Sequence, residues 1–228
     1  MKKTAVMQMQ GSGMHSVSAA KKIVVLALLS AIGFISMLVI KVPVISFLKY
    51  EPKDVFITFA GFLYGPAAAL ACSVVTAFLE LPFSTTGLIG MIMNIVSSAA
   101  FSCTASMIYQ KRKDIYGAAI GLVSSVGVMT VSMLLWNYLI SPLYMGVTRA
   151  EIVPMLTTMF LPFNLLKAGI NAAITLLLYR PFLRVMQLTG HAVNDHFADK
   201  KSSVALIASI SAVLLAVCIG TVIFLNRG

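Results

Sequence analysis

The chain has 228 residues, 59% of them hydrophobic and 11% charged, with 17 lysines and arginines against 7 acidic residues and a net charge of +10. This composition, gathered into long apolar runs with a mean hydropathy of +0.96, excludes a soluble enzyme and defines a multi-pass membrane protein. The basic excess is read as loops facing anionic lipid, with no nucleic-acid partner.

Residues 1–22 form a polar leader carrying Lys2, Lys3, Lys21 and Lys22. The apolar run 23–40 is longer than a signal-peptide core, which predicts a retained membrane helix. Within it Ala27 and Ala31, with Ala20 and Ser30 nearby, form a small-xxx-small pair. Small residues at this spacing let backbones approach where lipid offers no hydrophobic drive for association. Packing inside the chain and docking of a partner are both open readings of that pair, and Gly61-xxx-Gly65 and Gly117-xxx-Gly121 repeat the pattern.

The run 55–79 is interrupted by Tyr64-Gly65-Pro66, a glycine that readily ends a helix beside a proline that readily starts one. Two short helices are predicted, with a single kinked span as the alternative. The turn Thr85-Thr86-Gly87, with Gly90, is small and polar and suits either a ligand edge or a simple helix cap. Further spans are predicted over 88–109, 116–140 and 155–179, then a cytoplasmic linker over 186–203 and an apolar span over 204–225. The 14 methionines read as adaptable packing, and Cys72, Cys103 and Cys218 as small apolar residues without metal-ligand spacing.

With the second run split and the N-terminus inside, 11 basic residues face the cytoplasm and 5 face outward, Lys167 being intramembrane; an unsplit run with the N-terminus outside divides them 10 against 6. Charge bias does not separate these arrangements. The break chemistry at Gly65 favours the split one.

Lys167 carries the most information. It lies inside the run 155–179, with Asn164 three residues before it and Asn171 four after, on one helical stripe. A charge at bilayer depth costs roughly 2.5–3.5 kcal/mol on insertion scales, so it faces a partner or a watery cavity. In the split arrangement Glu80, Asn94, Asn137, Asn164 and Lys167 all fall in the outer half of the membrane, under the loop 41–53. That convergence predicts an externally loaded small-molecule site. Two blander readings stand beside it: Asn164 as an interhelical hydrogen bonder, and Lys167 paired with Glu80, the one carboxylate expected near the membrane interior.

Neither HExxH nor Gly-x-Ser-x-Gly occurs, and His15, His191 and His196 lie outside the spans, which argues against catalysis and against a metal. The sequence also lacks a Walker motif, so ATP-driven work must come from partners. A self-contained secondary transporter would show inverted repeats and coupling-ion carboxylates, and no convincing repeat is found.

Phe47-Leu48-Lys49-Tyr50-Glu51-Pro52-Lys53-Asp54, followed by Gly61-Phe62-Leu63-Tyr64-Gly65-Pro66, resembles the first outer loop and second helix of the riboflavin-specific substrate-binding (S) components of energy-coupling factor (ECF) vitamin transporters. Phe163-Asn164-Leu165-Leu166-Lys167-Ala168-Gly169-Ile170-Asn171 resembles the family's sixth helix, and Ala27-Leu28-Leu29-Ser30-Ala31 its first-helix Ala-xxx-Ala motif. The resemblance covers about residues 20–185 and implies an all-α integral membrane fold. That fold is a six-transmembrane-helix S-component bundle over 23–185, set in a bacterial cell membrane with the N-terminus cytoplasmic. The span 204–225 departs from the family as an extra C-terminal transmembrane helix.

The resemblance further implies high-affinity capture of riboflavin at the outer face. Delivery inward would require a transmembrane coupling subunit and two cytosolic ATPase subunits. The S component itself would be no enzyme and hold no cofactor, riboflavin being the transported ligand. By position Asn164, Lys167 and Asn137 match ligand-binding positions, Ala27 and Ala31 the coupling-subunit contact, and the loop 41–53 a cover over the site. Riboflavin's uracil-like edge and ribityl hydroxyls suit the amides of Asn94, Asn137 and Asn164 and the Lys167 donor. Phe47, Tyr50, Phe83 and Trp136 are candidates to stack on its ring, and Thr86 and Gly87 to meet its edge. Trp136 equally suits an interfacial anchor. A different vitamin on the same scaffold is the alternative.

Overall fold

The computed structural model describes residues 19–45, 48–84, 86–189, 209–212, 216 and 220. Among them, 5 helical segments are long and apolar enough to cross a membrane. The first, α1 (Ala19–Val39), begins earlier than hydropathy suggests, because Ala19, Ala20, Lys21 and Lys22 are all good helix formers. A feature absent from the all-α expectation follows. Strands β1 (Val42–Ile45) and β2 (Leu48–Tyr50) pair antiparallel, with Val42 opposite Tyr50 and Pro43 opposite Lys49. β-branched residues favour this extended stretch, and the two-stranded sheet leaves Pro43 at an edge, where its missing N–H is tolerated.

The second apolar run is split, as its break chemistry suggested, into α2 (Lys53–Tyr64) and α3 (Pro66–Glu80). Gly65 between them has φ 91° and ψ 175°, a region essentially restricted to glycine. Pro66 opens α3, where its missing N–H costs nothing. The chain reverses there. Gly61 packs against Ala69, and at the other ends of both helices Lys53 bonds to Glu80. Gly65 is therefore a turn residue, whereas Gly61 is a packing contact. With 12 residues α2 rises about 18 Å, short of the roughly 30 Å hydrocarbon core.

Helix α4 (Gly87–Arg112) runs parallel to α2. Ser98 bonds to Asp54, Ser102 to Thr58 at 2.9 Å, and Gln110 to the carbonyls of Gly61 and Phe62. A tight turn, capped where Asp114 accepts the Gly117 N–H at 2.6 Å, leads into α5 (Ile115–Met145). Here Gly121 has a concrete role: a Cβ at that position would lie 2.6 Å from the Ala105 carbonyl oxygen, so the two helices approach at backbone distance. Next α6 (Arg149–Met155) passes through a π-helical turn (Leu156–Phe160) into α7 (Leu161–Leu188). The three form one helical unit of 40 residues, longer at both ends than the expected 155–179.

The apolar core lies toward the end of the bundle where α1 begins. Phe59 stacks on Phe182 with centroids 4.0 Å apart, Phe62 stacks on Tyr109 at 4.3 Å, and the Tyr109 and Tyr179 hydroxyls meet at 3.0 Å. The opposite end, where α1, α3 and α5 finish and α2, α4 and α7 begin, collects the polar residues. Of the sequence-predicted features, the leader up to residue 18, Phe47, Thr85 and nearly all of 204–225 lie outside the described residues.

Candidate functional site

That polar end holds a partly open cavity of about 410 Å³, within the range usual for small-molecule sites. From α5 and α7 come Asn137, Asn164 and Lys167; from α3 and α4 come Glu80, Asn94 and Ser97. Met37, Met93, Met133 and Met145 supply soft apolar surface, with Phe83, Phe160, Phe163 and Tyr144 around them. The hairpin contributes Lys41, Leu48, Lys49 and Glu51 to the rim.

Charge is organised from the first turn of α2. Lys53, 1% exposed, bonds to Glu80 and lies 3.5 Å from Glu51. Asp54, fully buried, accepts from Ser98 Oγ at 2.5 Å and from Asn171 Nδ2 at 3.1 Å. Its Oδ2 also lies 3.9 Å from Lys167 Nζ. Asn171 in turn accepts from the Tyr50 hydroxyl at 2.9 Å. The hairpin, α2, α4 and α7 are thus joined through one carboxylate. Lys167 is held by a long contact at the cavity wall, leaving its donors available to a guest.

The polar stripe of α7 therefore divides. Asn164 and Lys167 line the cavity, while Asn171 lies behind it in the Asp54 network. Asn164 Nδ2 donates to the Phe160 carbonyl at 2.7 Å, inside the π-helical turn. Asn137 Nδ2 likewise donates to the Met133 carbonyl at 2.7 Å, and its Oδ1 accepts from Ser141. Each amide uses its N–H2 within its own helix; the Asn164 oxygen has no hydrogen bond among the described residues. Asn94 donates to Glu80 at 2.9 Å.

The alternative that paired Lys167 with Glu80 is not the arrangement found: Asp54 is the partner of Lys167, and Glu80 bonds to Lys53. Glu80 is likewise not the only carboxylate near the interior, since Asp54 is more deeply buried. Tyr50 is buried with its hydroxyl donating to Asn171 and is not among the residues that line the cavity. Trp136 also stays off the wall and packs against the core cluster. Phe83 and Thr86 reach the cavity, whereas Gly87 serves as the first residue of α4 with φ 57°. Ala27 and Ala31 are exposed on α1 and are not among the residues that line the cavity. The lining methionines and the buried Lys53–Asp54 pair were missed. A Lys-Asp dipeptide directly opening an apolar helix was the available signal for the latter.

A helical membrane bundle with a cavity of mixed polar and apolar lining at one end suits a substrate-binding transport component. The sequence matches the family described as ECF transporter, substrate-specific component, over residues 21–179, and the chain belongs to that family. It is a component of membrane transport, not an enzyme, and has no cofactor of its own. It is 29% identical over 181 residues to the riboflavin transporter RibU of Staphylococcus aureus (strain TCH60), an alignment covering 75% of this chain and 95% of that protein. To the riboflavin transporter FmnP of Bacillus subtilis (strain 168) it is 27% identical over 171 residues, covering 70% and 90%. Among solved structures it resembles the S component of a bacterial ECF transporter, with a TM-score of 0.63 and 28% identity over 73% of this chain and 98% of that one.

Proposed function

We propose that this chain is the riboflavin-binding membrane subunit of an ECF-type importer. It captures the vitamin at the outer face and passes it inward with a transmembrane coupling subunit and two cytosolic ATPase subunits. The observation that carries the reading is the cavity itself, in a chain similar to two riboflavin transporters. Amide oxygens and a lysine donor suit the polar edge and hydroxyl chain of a flavin. Methionine and phenylalanine surfaces suit its flat ring. Asn164, Lys167, Asn137 and Asn94 are the proposed polar contacts, with Phe83 and Thr86 on the same cavity wall as Asn94 and Phe47 a candidate from the loop 41–53.

The N-terminus is assigned to the cytoplasm. Lys21, Lys22, Lys111, Arg112, Lys113, Arg180 and Arg184 cluster at the bundle end away from the cavity, which supports that end facing inward. Six helical passes over 23–185 and a further one over 204–225 complete the proposed topology. Exposed Ala27 and Ala31 offer the small-residue face for the coupling subunit. The test is the absorbance of the purified protein, with any released ligand identified by mass after denaturation. Flavin bands and stoichiometric riboflavin are expected. A colourless protein that neither quenches riboflavin fluorescence nor is thermally stabilised by it would point to a different vitamin.

A further inference from the structure

The α3–α4 wall of the cavity carries two polar atoms that no described residue satisfies. Glu80, 4% exposed, uses Oε2 for both Lys53 and Asn94, while its Oε1 has no hydrogen-bond partner among the described residues. Ser97 Oγ, on a residue 2% exposed and one turn along α4 from Asn94, is likewise without a partner. Both residues line the cavity. A buried polar atom left unpaired costs roughly 1–3 kcal/mol, so two of them at one wall of a binding chamber mark where a guest completes the bonding.

We infer that Glu80, supported by Ser97, is a specificity-determining acceptor that reads the hydroxyl chain of the ligand. This rests on the riboflavin reading of the same cavity. An ionised carboxylate accepts only, so the group facing it must donate. The uracil-like edge of a flavin offers one N–H flanked by two carbonyls, whose oxygens a carboxylate would repel. The ribityl chain offers several hydroxyls, each able to donate. The edge therefore belongs to the Lys167 side and the chain to the Glu80 side. Lys53 and Asn94 act as positioning residues, since both fix Glu80 through Oε2 and leave the buried Oε1 as the oxygen without a partner at that wall.

The test compares riboflavin with lumiflavin, which keeps the ring and replaces the ribityl chain with a methyl group. Affinities are measured by flavin fluorescence quenching on wild type, Glu80→Gln and Ser97→Ala. Wild type is expected to favour riboflavin, and in Glu80→Gln that preference falls at least ten-fold while lumiflavin affinity is retained. Ser97→Ala, which leaves the Lys53 clamp intact, lowers the preference about three-fold and covers the case in which Glu80→Gln does not fold. A preference unchanged in the folded variants, or an equal loss for both flavins, overturns the inference. Wild type that quenches neither flavin refutes the riboflavin reading itself, a distinct outcome.

Discussion

Asp54 and Lys167 should be thermodynamically coupled, and a double-mutant cycle measures how strongly. The pair stands 3.9 Å apart, with Asp54 fully buried and Lys167 only 7% exposed. At an effective dielectric near 20, two unit charges at that separation attract by about 4 kcal/mol before desolvation is counted. Asp54→Asn keeps the side-chain volume and one acceptor for Ser98 or Asn171, but strips Lys167 of its counter-charge. Removing one member of a buried pair costs about 3–5 kcal/mol, and the long contact places this case near the lower bound. Lys167→Met should cost less, about 1–2 kcal/mol, because Asp54 retains its hydrogen bonds from Ser98 and Asn171. The double variant should recover about 1–3 kcal/mol relative to the sum. Unfolding in mixed detergent micelles, followed by far-UV circular dichroism, supplies the free energies. Additivity within about 0.5 kcal/mol would refute the coupling. Riboflavin quenching on Lys167→Met adds a functional reading: affinity should fall, and an unchanged value removes Lys167 from the site.

Replacing both Ala27 and Ala31 by Trp should spare riboflavin binding, since both are exposed and neither lines the cavity, yet abolish co-purification with the coupling subunit; normal co-purification would sink the docking proposal. Gly65→Ala places a Cβ at φ 91°, ψ 175° and should destabilise by roughly 1–3 kcal/mol, read as a lower melting temperature. An unshifted melt would mean that the turn relaxes freely. Gly121→Ala sets a Cβ 2.6 Å from the Ala105 carbonyl oxygen and should cost about 1–3 kcal/mol while leaving ligand affinity intact, because the contact is distant from the cavity. Wild-type stability in that variant would show that α4 and α5 can separate without loss.

The membrane class and the main helical runs were legible from the sequence because hydropathy and helical periodicity are local properties. So was the break at Gly65-Pro66, since a left-handed glycine and a helix-starting proline impose their stereochemistry wherever they stand. The stripe Asn164–Lys167–Asn171 was also legible, as three offsets on one helix. Its division into a cavity face and a buried network was not. That depended on which elements pack against α7, and the deciding bonds join residues far apart in sequence: Tyr50 to Asn171, Asn171 to Asp54, Lys167 to Asp54. Lys53 and Asp54 show the physical reason most plainly. In the sequence they are adjacent charges at the end of a loop. On a helix, neighbouring side chains diverge by about 100°, so one is sent to Glu80 on α3 and the other to Ser98 on α4 and Lys167 on α7. Local order determined that these charges would stand at a helix start; only the packing of three further helices around that start decided which partner each would have.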